Sequence, residues 1–176
     1  ADCLKQAAAG RLSDRELHYL ARIDAGASKG ATVARDLAAL VGVATSEKRS
    51  ETADPAAVAA QCVRDLHNTF AGRRVELVLP EGDVPRVEAD PGLLRAALWH
   101  LLSNALKFTQ TRAAARIEVS ATAHGNACRV AVRDNGVGFC PQYAHKLFTA
   151  FERLHYEDEF EGNGIGLAIV KEVALR

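Results

Sequence analysis

Residues 100–109 read HLLSNALKFT. The stretch has no proline or glycine, and its apolar residues recur at helical spacing, so it belongs to a helix. With the residues just before it, Leu94, Leu98, Leu101, Leu102 and Ala105 give that helix a buried face. Two polar residues interrupt it. Asn104 and Lys107 lie three apart on one flank, and His100 stands one turn before Asn104. An amide oxygen suits a hard cation such as Mg²⁺, and an ammonium suits a phosphate. The same pair also serves as a locally bonded amide and a solvated lysine, and the helix alone leaves both readings open.

Working outward, Asp90-Pro91 is an N-cap followed by proline at the first helical position. It predicts a helix from there through Lys107. Asp54-Pro55 repeats the signal and predicts a second helix to about Phe70. Residues 74–79 (RVELVL) alternate like a strand, 80–83 turn, and 86–89 form a short strand. Residues 116–122 and 128–133 are two alternating strands around His124-Gly125-Asn126, a hairpin signature. The remainder is punctuated by glycine and turns helical from Ile165. Residues 52–176 therefore read as one mixed α and β domain.

Residues 45–54 (TSEKRSETAD) are polar and read as a linker. The chain before them is helical and rich in alanine. Residues 4–9 look like a helix end, with Gly10 as its C-cap. Ser13 and Glu16 then form a capping box, opening a helix that runs to about Ala44. Leu20, Ile23, Ala27, Gly30, Ala34, Leu37 and Val41 step by threes and fours, a heptad stripe. The two helices make a hairpin over residues 1–48. A lone hairpin cannot bury such a stripe, so a homodimer closing a four-helix bundle is expected, against the alternative of a helix packed on its own domain.

Composition narrows the function classes. Lysine plus arginine equals aspartate plus glutamate, 22 of each, which disfavours a nucleic-acid binder. No apolar run reaches the length of a membrane span, and no signal peptide is visible, so the expected location is the cytoplasm without membrane contact. The four cysteines form no C-x-x-C pair, so neither a zinc ribbon nor a disulfide framework is expected.

Two further segments carry chemistry. Asp134-Asn135-Gly136-Val137-Gly138 follows a strand. A carboxylate there, with glycines that admit a flat ligand, fits recognition of an exocyclic amine, although Asn-Gly is also a common tight turn. Residues 161–167 (EGNGIGL) run into a helix, where exposed amides and the positive dipole end favour phosphate. Neither a Rossmann fingerprint nor a P-loop is present.

Asn104, Asp134 and Gly162 stand 30 and 28 residues apart, in that order on one domain. This arrangement resembles the ATP-binding domain of sensor histidine kinases, of the Bergerat or GHKL type. Residues 100–109 resemble its N-box, 134–138 its first glycine box, 148–153 its phenylalanine box and 162–167 its second glycine box. The resemblance covers about residues 52–176, and residues 154–161 are most similar to phytochrome-type kinases.

The resemblance implies an α+β fold, a two-layer sandwich of a mixed β-sheet with helices on one face, preceded by the dimerisation and phosphotransfer hairpin. It implies ATP and Mg²⁺ as ligands. Asn104 would hold the metal and Lys107 the phosphates, with His100 counted among the nucleotide-binding residues. Phe108 would pack near the adenine and Asp134 would accept from its amine, with Gly136 and Gly138 admitting the base. Arg153 would approach the terminal phosphate. Gly162, Gly164 and Gly166 would shape a lid, anchored by Phe148 and Phe151 unless these are simple core aromatics. The implied activity is transfer of the ATP γ-phosphoryl group to a histidine, and then to a response-regulator receiver domain.

Departures from the pattern sharpen the expectation. The family's acceptor histidine precedes an acidic residue, and no such pair exists here. The acceptor is therefore expected upstream of Ala1, so the fragment alone would not phosphorylate itself. The family's C-terminal strands are expected to lie beyond Arg176. His100 stands where Asn is usual, and Asn163 where Thr is. Two alternatives remain: a related ATP hydrolase, which would need a glutamate where His100 stands, and a non-catalytic dimerisation scaffold.

Overall fold

The computed structural model describes residues 12–45, 47, 49–125, 127–154, 160 and 162–176. The chain divides into two compact units, residues 1–39 and 40–176. The expected helix end at residues 4–9 and its cap Gly10 lie outside the described residues.

In the first unit, helix α1 spans Asp14–Thr45 and continues into the second. Its start is the expected capping box. The Ser13 N–H donates to the Glu16 carboxylate at 2.8 Å, and the Glu16 N–H to Ser13 Oγ at 3.4 Å. The Ser13 hydroxyl, which donates to the carboxylate at 2.6 Å, and then the Ser13 N–H hold the Glu16 carboxyl below the usual range. Leu17, Ile23, Leu37 and Val41 are exposed along α1.

In the second unit, β1 (Glu51–Ala53) precedes α2 (Pro55–Phe70), β2 (Val75–Val78), β3 (Val87–Ala89) and α3 (Pro91–Phe108). Then come β4 (Ala115–His124), β5 (Ala127–Asp134), a 3₁₀ turn at Pro141–Lys146 and α4 (Gly166–Ala174). Both Asp-Pro starts behave as caps. Asp54 Oδ1 accepts from the N–H groups of Ala56 and Ala57, and Asp90 Oδ1 from those of Gly92 and Leu93. The expected strands appear within a few residues of their predicted bounds. The polar linker is corrected: it contains β1, which pairs antiparallel with β3. A strand of three residues with only Ala53 buried is too short to show periodicity.

The main sheet is mixed, in the order β2-β4-β5. The β2 and β4 strands are parallel, and β4 and β5 antiparallel. The parallel pair needs a crossover, which β3 and α3 supply. Alternate residues of β4 (Ala115, Ile117, Val119) are buried, and Ile117 and Val119 share one core with Ala59, Cys62 and Leu66 of α2 and Leu98, Leu102, Ala105 and Leu106 of α3. This is the expected two-layer arrangement. Helix α4 lies against α3 and buries Ala168 and Ile169.

Candidate functional site

On α3, His100, Asn104 and Lys107 stand four and three residues apart and share one stripe of the helix. A β-carbon placed on Gly166 would lie 3.0 Å from His100 Nδ1, and one placed on Gly162 would lie 3.1 Å from Lys107 Nζ. The second glycine segment thus runs antiparallel along the stripe. Its end at Gly166 meets His100, its start meets Lys107, and half-buried Asn104 lies at the level between them.

The surroundings of Lys107 suit an anion. Burial, and then the nearby Arg153 guanidinium, hold the ammonium below the ordinary lysine range. Its Nζ lies 4.5 Å from the centre of the Phe108 ring. Phe108 in turn meets Phe160 edge-on, with ring centres 5.1 Å apart. The Phe160 carbonyl accepts from Arg153 Nη2 at 2.5 Å. Two cations and two aromatic rings therefore gather at the end of α3.

The first glycine box docks on the same helix end. Asp134 closes β5, and its Oδ1 accepts from the Gly136 N–H at 2.8 Å. The Val137 N–H donates to the Phe108 carbonyl at 3.2 Å. Gly136 is required for room: a β-carbon there would fall 2.7 Å from both Asp134 Oδ1 and the Phe108 oxygen. Gly138 is required for its backbone, with φ at 70° and open space around the missing side chain. Asn135 pins the loop to the start of β4. Its Oδ1 accepts from the Arg116 N–H at 2.8 Å, and its Nδ2 donates to the Ala114 carbonyl at 3.1 Å. Arg112 Nη2 adds a bond to the Gly136 carbonyl at 2.8 Å.

The phenylalanine box joins the second glycine box. The Phe151 N–H donates to the Gly164 carbonyl at 3.1 Å, and a β-carbon on Gly164 would fall 2.7 Å from the Glu152 oxygen. Phe148 and Phe151 are both exposed, so the alternative of simple core aromatics is overturned. Phe151 has a φ of 67°, a strained conformation for an aromatic residue.

The structure thus connects His100 to Gly166, Lys107 to Gly162 and Arg153, Phe108 to Gly136, and Gly164 to the phenylalanine box. Residue order gave no role to Phe160, Asn135 or Arg112. Asn135 lies inside the first glycine box and Phe160 inside residues 154–161. Arg112 carries no spacing signal. Among the described residues no group of three or more His, Cys, Asp or Glu side chains could hold a metal.

Comparison with known proteins agrees with this layout. Residues 89–176, half of the chain, match the family of histidine kinase-, DNA gyrase B-, and HSP90-like ATPases. The phytochrome-like protein Cph1 of Synechocystis is 37% identical over 92 residues, covering 52% of this chain and 12% of that protein. The chain thus spans about an eighth of that relative's length. The mycobacterial sensor histidine kinase MprB superposes with a TM-score of 0.59 at 26% identity, covering 71% of this chain and 80% of that one. Full-length ShkA, solved in complex with AMPPNP, shares the fold with a TM-score of 0.71 at 22% identity, covering 96% of this chain and 35% of that one. With its N-box helix, both glycine boxes and the sheet behind them in place, the chain belongs to the histidine kinase-, DNA gyrase B- and HSP90-like ATPase family.

Proposed function

We propose that this chain is the ATP-binding catalytic part of a sensor histidine kinase, with Mg·ATP as its nucleotide. The observation that carries the reading is the glycine-rich segment 162–166 laid along the His100–Lys107 stripe, with a half-buried ammonium at one end. A half-buried lysine beside an arginine is costly unless an anion visits them. A triphosphate supplies that anion.

Each segment has a task. Asp134 accepts from the adenine amine while its other bond to Gly136 fixes the carboxylate. Phe108 offers an apolar edge to the base. Lys107 and Arg153 neutralise phosphate charge, and Gly162, Gly164 and Gly166 let backbone approach the phosphates. The Mg²⁺ fit rests on donor chemistry. Asn104 is a neutral oxygen donor, which suits an ion held mostly by phosphate oxygens. When bound, the ion would neutralise charge on the leaving phosphates. The protein's own contribution is positioning and electrostatic stabilisation of the transferred group.

The acceptor in this reading is a histidine outside the sequence given, and the phosphoryl group then passes to a response-regulator receiver domain. Residues 1–48 serve as part of a dimerisation hairpin and residues 52–176 as the catalytic domain, working in the cytoplasm. No helix is long and apolar enough to cross a membrane among the described residues. The scaffold alternative would leave the half-buried Lys107 without a purpose. Titration calorimetry with Mg·AMPPNP tests the proposal: saturable one-site binding is expected, and no heat of binding would refute it.

A further inference from the structure

We propose that Arg73 is a positioning residue for the nucleotide site, setting the last turn of α3 so that Lys107 and the Phe108 carbonyl reach their partners. The inference rests on the nucleotide reading above and adds to it a residue outside every motif.

A helix leaves its last four carbonyls without intrahelical partners. In α3 these belong to Leu106, Lys107, Phe108 and the cap Thr109, because the Ala105 carbonyl still accepts from the Thr109 N–H at 3.1 Å. Thr109, fully buried, turns its hydroxyl onto the Ala105 carbonyl at 2.7 Å. The Gln110 N–H serves the Lys107 carbonyl at 3.1 Å, and the Val137 N–H serves that of Phe108. The Leu106 carbonyl is served from elsewhere in the chain. Arg73 Nη1 donates to it at 3.0 Å, while Nη2 points to Thr109 Oγ1 at 3.4 Å. The Thr109 hydroxyl has a single proton and is 3.2 Å from the Leu106 oxygen, its longer contact. Arg73 is therefore the main donor to Leu106, and it steers the Thr109 proton toward Ala105.

The guanidinium reaches this place from the turn between α2 and β2. Gly72, at a φ of 81°, reverses the chain, and the Arg73 N–H closes the turn on the Phe70 carbonyl. A cation at a helix C-terminus also complements the dipole. Immediately beyond the clamped carbonyl stand the two residues that matter. Lys107 faces the second glycine segment, and Phe108 carries the first. Loosening this turn moves both halves of the site at once, and displacements of about 1 Å in a positioned site cost up to a hundredfold.

The test uses Arg73→Met and Arg73→Lys in the full chain, with Arg95→Met as control. Arg95 bonds Asp65 of α2 at 2.7 Å from the opposite half of α3, so it reports on helix packing alone. Affinity for Mg·AMPPNP is read by calorimetry and stability by thermal melting. Arg73→Met is expected to weaken binding about tenfold, Arg73→Lys to recover part of the loss, and Arg95→Met to leave affinity unchanged. In a Lys107→Ala background the effect of Arg73→Met should shrink, because the two act through one turn. Wild-type affinity in folded Arg73→Met, or a fully additive effect with Lys107→Ala, overturns the proposal. If Arg73→Met does not fold, Arg73→Lys with undiminished affinity overturns it equally. A wild-type chain that binds no nucleotide overturns the nucleotide reading itself, a result distinct from all of these.

Discussion

The N–H of Val137 donates to the carbonyl of Phe108, so the loop that follows β5 hangs from the last residue of α3. One hydrogen bond thereby ties the two motif-bearing segments together. The carboxylate of Asp134 and the ammonium of Lys107 are each held by residues adjacent to that bond.

Asp134→Asn is the gentlest test of base recognition. The amide oxygen still accepts from the Gly136 N–H, so the loop should keep its shape. Replacing the charged acceptor should cost about 1.5–3 kcal/mol, roughly tenfold to a hundredfold in affinity. Nucleotide titration with an unchanged melting temperature checks it, and equal affinity would refute the adenine role.

Lys107→Met should separate stability from binding. Burial and Arg153 lower the lysine's pKa in the folded chain, so the folded state binds fewer protons than the unfolded state between the two values. Stability of the nucleotide-free wild type should therefore rise as pH climbs from the depressed value to the ordinary lysine range. Triphosphate affinity should fall over the same window as the ammonium is lost. The variant should lose both pH dependences, melt at a higher temperature than wild type and bind AMPPNP at least about tenfold more weakly. Adenosine binding should change little. Melting curves and titrations at several pH values read each effect.

Gly136→Ala and Gly164→Ala place a β-carbon 2.7 Å from main-chain oxygen atoms, of Phe108 and Glu152 respectively. Neither neighbour can swing aside, so each variant should lose about 1–3 kcal/mol of stability. Urea denaturation measures this. Gly138→Ala meets no atom, so its cost should be confined to the left-handed backbone, about 1 kcal/mol.

Phe151 holds a left-handed backbone with an exposed ring. Phe151→Asn should relieve strain, because asparagine tolerates that conformation, and raise stability by roughly 0.5–1 kcal/mol. Selection for stability alone would have removed an exposed, strained aromatic. If the ring instead makes the lid work, the same variant should bind nucleotide more weakly while melting later.

Ile23 and Val41 lie exposed on the α1 stripe. If the stripe closes a homodimer, Ile23→Asp with Val41→Asp should yield monomers in analytical ultracentrifugation. A wild-type chain that stays monomeric at high concentration would refute the dimer.

Much of this was legible in residue order. Both Asp-Pro caps, the Ser13–Glu16 box and the alternating β4–β5 hairpin are short-range devices, so their signals sit within a few residues of where they act. The three-residue β1 was not legible, because its pairing with β3 lies across more than thirty residues and its composition is that of a loop. The aromatic box shows the same limit: the resemblance led us to expect Phe148 and Phe151 to anchor a lid, but residue order left their burial open.

By itself the sequence determined the set of chemical groups: an amide and an ammonium on one helix stripe, a carboxylate at a strand end and glycines where backbone must come close. These follow from local periodicity and from what each side chain can bond. Only the tertiary structure decided which groups meet, because Phe160 on Phe108, Arg153 beside Lys107 and Arg73 on Leu106 are contacts between separate segments. Such contacts depend on how helices and strands pack, and no spacing along the chain records them.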